Sequence, residues 1–446
     1  LAGKTPLLPV LALLLALAPG LRAEPVPAST AAATVAAARA AAVPVVGADG
    51  DYDDLLAAIG DARVVMLGEA THGSREFYRE RARVTRRLVL ELGFSGLVLE
   101  APWEPARRLD AYVRGEGRAV DAAAALQGFS HFPRWMWRNE AMRAILEDLR
   151  AINDDRPAAA RLRIFGMDLY SLPQSADAVV RHRARQSVAA AERARQRYGC
   201  FDHYRVVPDF YGRDVAAKRR PACTEGAAAE AAELETQAAG TDADGDAFAA
   251  WQSARTVVAA ERYYRSVYGL EPSPWNGREA HLADTLDQIL QHLGPSGKIV
   301  VWAHNTHQGD ARETDQGAVG EVSIGQLMRE RHGDAVRLVG FTTHRGEVRA
   351  APGWGRPDRV WKLRPALADC WTGLLHRTGL PAFLLVFRDR PALAENFAVP
   401  RLDRAVGVSY LRHAERRNHY YHVRLGRQFD AVVHLDATTA AAPLPD

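Results

Sequence analysis

The sequence predicts an α/β fold: a central, mostly parallel sheet flanked by helices, with a helical insertion covering the cleft at the carboxyl ends of the strands. Three observations carry that expectation. Residues 63–67, 96–99, 162–166 and 298–302 are short, largely apolar runs of the kind found in strands buried on both faces. The intervening segments show helical spacing. Each run also ends in an ionisable residue, and the carboxyl ends of parallel strands are where such sheets place ligands.

Composition sets the class. The 446 residues are 48% hydrophobic and 25% charged, as in soluble globular proteins. A formal charge of +3 gives no electrostatic case for nucleic acid or an anionic membrane.

In chain order, Lys4 precedes an apolar run over 7–18 that is short for a bilayer. Pro19-Gly20 breaks the run, and Ala23 offers a small-residue cleavage site before Glu24. Residues 1–23 read as a signal peptide, with an uncleaved anchor as the alternative, so export to a periplasmic location is expected. Residues 24–42, rich in Ala, Pro and Thr, read as a flexible lead-in, and 43–440 as one α/β domain.

A short helix is expected over 51–59. Strand 63–67 breaks at Gly68, and Glu69 and His72 sit on a Gly-bounded turn before a helix over 74–92. Phe77, Val84, Leu88 and Leu92 share one stripe of that helix, and Arg81 falls on it too. Such an arginine either pairs structurally or reaches a site at the sheet edge. The next strands end in Glu100, in Asp168, and in His304 with His307.

Residues 173–293 are too long for an ordinary crossover and read as the helical insertion, with helices over 251–268 and 278–293. Arg278 shares a stripe with Leu282 and Ile289, facing inward. Cys200 and Cys223 lie in this section and could close a disulfide in an oxidising compartment, whereas Cys370 is remote. Further strands are expected over 335–341, 382–387, 405–408 and 431–435, with a helix over 323–331 and loops near Trp354 and Asn396. His344, His413, His419, His422 and His434 have no metal spacing and read as core or surface residues.

No Gly-x-Ser-x-Gly elbow, Gly-rich phosphate loop or dinucleotide fingerprint is present. Imidazoles, carboxylates and inward arginines suit attack of water on an acyl carbon, with one imidazole as base and a cation or second imidazole on the oxyanion. The same groups could hold a divalent metal, since His304 and His307 are three residues apart with carboxylates nearby.

Several motifs together resemble the erythromycin esterase family. They are Gly68-Glu-Ala-Thr-His-Gly73, Leu99-Glu100-Ala, Phe165-Gly-Met-Asp168-Leu-Tyr-Ser171, Trp275-Asn-Gly-Arg278 and Trp302-Ala-His-Asn-Thr-His307. Arg404-Ala-Val-Gly-Val408 and Phe429-Asp-Ala-Val-Val-His434 extend the resemblance, which covers residues 44–436. It implies hydrolysis of a macrolide lactone, and hence antibiotic resistance; no metal or other cofactor is expected. His72 would be the general base, Glu69 and Glu100 would orient it and the water, and His304 with His307 would line the site and polarise the ester. Arg81 and Arg278 would bind substrate or support the site, and Asp168 would stand behind them. A small-molecule ester is the expected partner, with no nucleic acid and no membrane beyond the signal peptide. Two alternatives stay open: a metal-dependent hydrolase of another ester or acylated glycan, and a non-catalytic metal- or haem-binding periplasmic protein.

Overall fold

The computed structural model describes residues 28–239, 245–269 and 273–445. The expected signal peptide over 1–23 lies outside them. No helix among the described residues is long and apolar enough to cross a membrane. The strands are β1 (Val43–Pro44), β2 (Val64–Leu67), β3 (Gly96–Pro102), β4 (Arg163–Asp168), β5 (Ile299–Trp302), β6 (Val336–Ala350), β7 (Arg359–Leu363), β8 (Ala382–Val386), β9 (Arg401–Arg404), β10 (Tyr420–Val423) and β11 (Ala431–Thr438). The central sheet is mostly parallel and flanked by helices, as expected.

The chain divides into two compact units. Among the described residues the first comprises 28–93, 129–145 and 300–445. Within it β2 and β11 both run parallel to β6, while β8 runs antiparallel to β11. β2 is buried along its whole length, which is why its sequence is apolar without alternation. β6 extends well past the expected end at residue 341. Thr342, Thr343 and His344 hide the continuation in sequence, yet all three are buried where β6 pairs with β11.

The expected strand over 405–408 is not one. The strand is β9, just before it, antiparallel to β10. Beyond β9 the Ala405 N–H donates to His419 O and the Val406 N–H to Ala70 O, so these backbone groups serve separate neighbours and no ladder forms.

Helix α1 (Ala28–Ala41) replaces most of the expected flexible lead-in. Alanine carries the least helical penalty, and burial of Thr34 and Ala38 fixes the helix in place. Thr34 Oγ1 also donates to Asn396 O. Helix α2 (Asp53–Ile59) precedes β2, and α3 (Arg75–Glu91) follows the turn after it.

Among the described residues the second unit comprises 94–128, 146–239, 245–269 and 273–299. It contains the parallel pair β3 and β4 together with the helical section from Leu172–Gln186 to Pro274–His292. The expected insertion is therefore part of a unit with two strands of its own. Its core is built from Val179, Tyr198, Phe201, Tyr211, Leu234 and Val257.

Cys200 and Cys223 are joined by a disulfide across 23 residues of this unit, and Cys370 is a buried free thiol. Closing a loop of that length stabilises the fold by about 3 kcal/mol, mostly by restricting the unfolded chain. Cys200→Ala is expected to lose that amount in denaturant unfolding. Reductant should lower the wild-type midpoint and leave the variant's unchanged.

Several histidines are buried neutral. Burial, with Arg255 and Arg278 nearby, pushes His281 down to about 3, and burial pushes His419 down to about 4. His344, stacked on the His376 ring, is also pushed down to about 4 by burial and by that neighbour. Below an unfolded value of about 6.5 the unfolded chain binds more protons than the folded one, so stability falls with pH until the folded value is passed. At pH 5 His281 and His419 should each cost about 2 kcal/mol relative to pH 7. Urea titrations at the two pH values measure it, and equal midpoints would sink the assignment.

Candidate active site

The turn after β2 owes its shape to two glycines. A Cβ at Gly68 would collide with Asn305 Oδ1, and one at Gly73 with the Arg349 carbonyl. Later parts of the chain clamp this turn. The His72 N–H donates to Val406 O at 3.3 Å, and the Arg349 and Ala441 N–H groups donate to Gly73 O at 3.1 and 2.9 Å.

On this turn the His72 ring donates from Nδ1 to Glu69 Oε1 at 2.8 Å. The other oxygen, Glu69 Oε2, accepts from Arg81 Nη2 at 2.7 Å. All three side chains are buried, Arg81 completely. Its guanidinium lies over the rings of Tyr78 and Trp302, 5.1 and 4.7 Å from their centroids. Tyr78 in turn donates its hydroxyl to His72 O at 2.7 Å. The result is one chain, from Arg81 through Glu69 to His72, in which a carboxylate fixes the imidazole tautomer and leaves the Nε2 lone pair available.

His304 ends the segment after β5, and its ring centroid lies 5.0 Å from that of His72. It caps the short helix Asn305–Gln308. Asn305 locks this helix to the strands: its backbone N–H donates to Glu69 O at 2.9 Å, while its side chain bonds both backbone groups of Phe341. Gln308 Nε2 donates to Val301 O at 2.9 Å. His307, on the same helix, is buried.

In the second unit Glu100, Asp168 and Arg278 form their own cluster. Arg278 donates to both Asp168 oxygens, at 3.1 and 2.7 Å, and to Glu100 Oε1 at 3.1 Å. It also lies 5.3 Å from the Tyr170 ring, and Tyr170 donates its hydroxyl to Tyr263. Burial works against the charged guanidinium, yet Asp168, Tyr170 and Glu100 together hold its pKa well above the ordinary value. Burial and the neighbouring Tyr263 likewise drive Tyr170 upward, so its phenol stays protonated.

The eight expected residues thus gather as Glu69, His72, Arg81 and His304 around one turn, with His307 on the adjoining helix, and as Glu100, Asp168 and Arg278 in the other unit. Sequence reasoning missed Tyr78, Asn305 and Thr306. Tyr78 was within reach, because it stands three residues before Arg81 and so faces it on α3. Among the described residues no group of three His, Cys, Asp or Glu side chains is arranged to hold a metal ion.

Known proteins resemble the chain throughout. An Escherichia coli protein named erythromycin esterase type II is 21% identical over 337 residues, 68% of this chain and 74% of its own. Among solved structures, a Bacillus cereus protein aligns over 93% of this chain and 99% of its own, with a TM-score of 0.77 at 18% identity. A succinoglycan biosynthesis protein gives 0.76 at 22% identity, over 94% of this chain and all of the other. An open-conformation mutant of the erythromycin esterase EreC gives 0.59 at 19% identity, over 88% and 94%. At these identities the structures speak for the fold. The erythromycin esterase family model, however, matches residues 89–438, most of the sequence. The chain belongs to the erythromycin esterase family, and that membership supports a hydrolase of macrolide esters.

Proposed function

We propose that the protein hydrolyses a macrolactone or related carboxylic ester with water activated by His72. The observation that carries this reading is the buried Arg81–Glu69–His72 chain, which presents imidazole Nε2 as a base of fixed tautomer. Nε2 takes a proton from water as the oxygen bonds to the acyl carbon. His304, whose ring stands beside that of His72, donates to the oxyanion that forms. When the tetrahedral intermediate collapses, the C–O bond to the alkoxide breaks. The alkoxide then takes the proton from the His72 imidazolium, which restores the base and opens the lactone to a hydroxy acid. Glu69 balances the imidazolium charge during the cycle, and Arg81, sealed from solvent, positions Glu69 rather than touching substrate. His307, buried on the helix after β5, is assigned to substrate binding.

The Cys200–Cys223 bond supports work in an oxidising compartment, in keeping with the proposed export. The test is incubation with erythromycin and mass spectrometry for the gain of one water, with and without chelator. Turnover that survives the chelator is expected. Loss restored by a divalent ion would replace this mechanism with metal-assisted hydrolysis, and no turnover by folded protein would exclude erythromycin as substrate.

A further inference from the structure

The two imidazoles of the site are held in opposite tautomers. His72 donates from Nδ1 to a carboxylate, so its lone pair lies on Nε2. His304 is arranged the other way. Its Nδ1 accepts from the Thr306 backbone N–H at 3.3 Å and lies 2.9 Å from Thr306 Oγ1. A backbone N–H can only donate, so a proton on His304 Nδ1 would face another proton. The neutral ring therefore carries its hydrogen on Nε2.

We infer that Thr306 is a positioning residue that fixes His304 as an Nε2–H donor, making it the oxyanion partner to the His72 base. The inference rests on the hydrolase reading for its purpose but not for its geometry. Several features reinforce the arrangement. His304 is the N-cap of Asn305–Gln308, an unusual use of imidazole where a serine or aspartate normally accepts the N2 or N3 amide. The hydroxyl of Thr306 adds a second donor to the same nitrogen, and Asn305 ties the helix to Glu69 O and Phe341. Rotation of the ring would break these contacts together. A base and an oxyanion donor of one residue type are thus told apart by what each Nδ1 meets: a carboxylate at His72, an amide hydrogen at His304.

The test has two arms. Nitrogen-15 NMR of histidine-labelled protein, with His304 assigned by loss of its signals in His304→Asn, should show a pyridine-type Nδ1 and a protonated Nε2. Thr306→Val keeps the backbone N–H and removes only the hydroxyl, so it should leave the proton on Nε2 but loosen the ring, broadening those signals and lowering kcat on erythromycin about 10-fold, with little change in KM. Thr306→Ser, which keeps the hydroxyl, should restore both. A wild-type His304 protonated on Nδ1 would overturn the inference whatever the activity. So would a Thr306→Val protein with unchanged signals and unchanged kcat. If wild type shows the expected tautomer but turns over no ester, the hydrolase reading fails and the tautomer assignment stands.

Discussion

Turnover of erythromycin by His72→Ala is expected to fall about 10³-fold in kcat, the middle of the range for loss of a general base. KM should change little, because the imidazole acts on water rather than on the bulk of the substrate. A variant that kept more than a tenth of wild-type kcat would remove His72 from the role of base. Folding is checked separately by thermal unfolding, since alanine leaves Glu69 still paired with Arg81.

Arg81→Met is expected to cost 3–5 kcal/mol of stability, in the range found when one partner of a buried ion pair is removed. Glu69 would then keep only His72 as a partner, with its carboxylate buried from solvent. A double variant separates charge from packing. Adding Glu69→Gln to Arg81→Met removes the stranded carboxylate, so much of the lost stability should return, measured by urea unfolding. Activity should not return, because a neutral amide no longer stabilises the His72 imidazolium. A double variant no more stable than the single one would show that the cost came from lost packing against Tyr78 and Trp302, and not from the unpaired charge.

The sheet was legible wherever burial on both faces wrote itself as continuous apolar sequence, as in β2, β5, β8 and β11. It was illegible in β9 and β10, where Arg401-Leu-Asp-Arg404 and Tyr420-Tyr-His-Val423 carry polar groups satisfied inside the fold. Arg404 is an example, fully buried with its guanidinium on Glu415, Tyr420 and backbone carbonyls. Glu69 and His72 were legible because a Gly-bounded turn after an apolar strand is a local pattern. Arg81 and Arg278 were visible because a charge on an apolar stripe is conspicuous. Asn305 and Thr306 were not, because a capping hydroxyl and a strand-locking amide have no sequence period of their own. The grouping of β3 and β4 with the helices was equally hidden, since it depends on which surfaces meet after the chain has folded.

The clamps on the Glu69–Gly73 turn bear on the order of events during synthesis. The turn is made early in translation, but the groups that hold it are Asn305, Arg349, Val406 and Ala441, which leave the ribosome far later. Two of the strands that β6 pairs with are likewise distant in sequence, β2 on one side and β11 on the other. Contacts of such long range form slowly and only after loop closure has been achieved. A nascent or C-terminally clipped chain would therefore hold Glu69 and His72 without holding them in place, and catalytic competence would arrive only with the last strand.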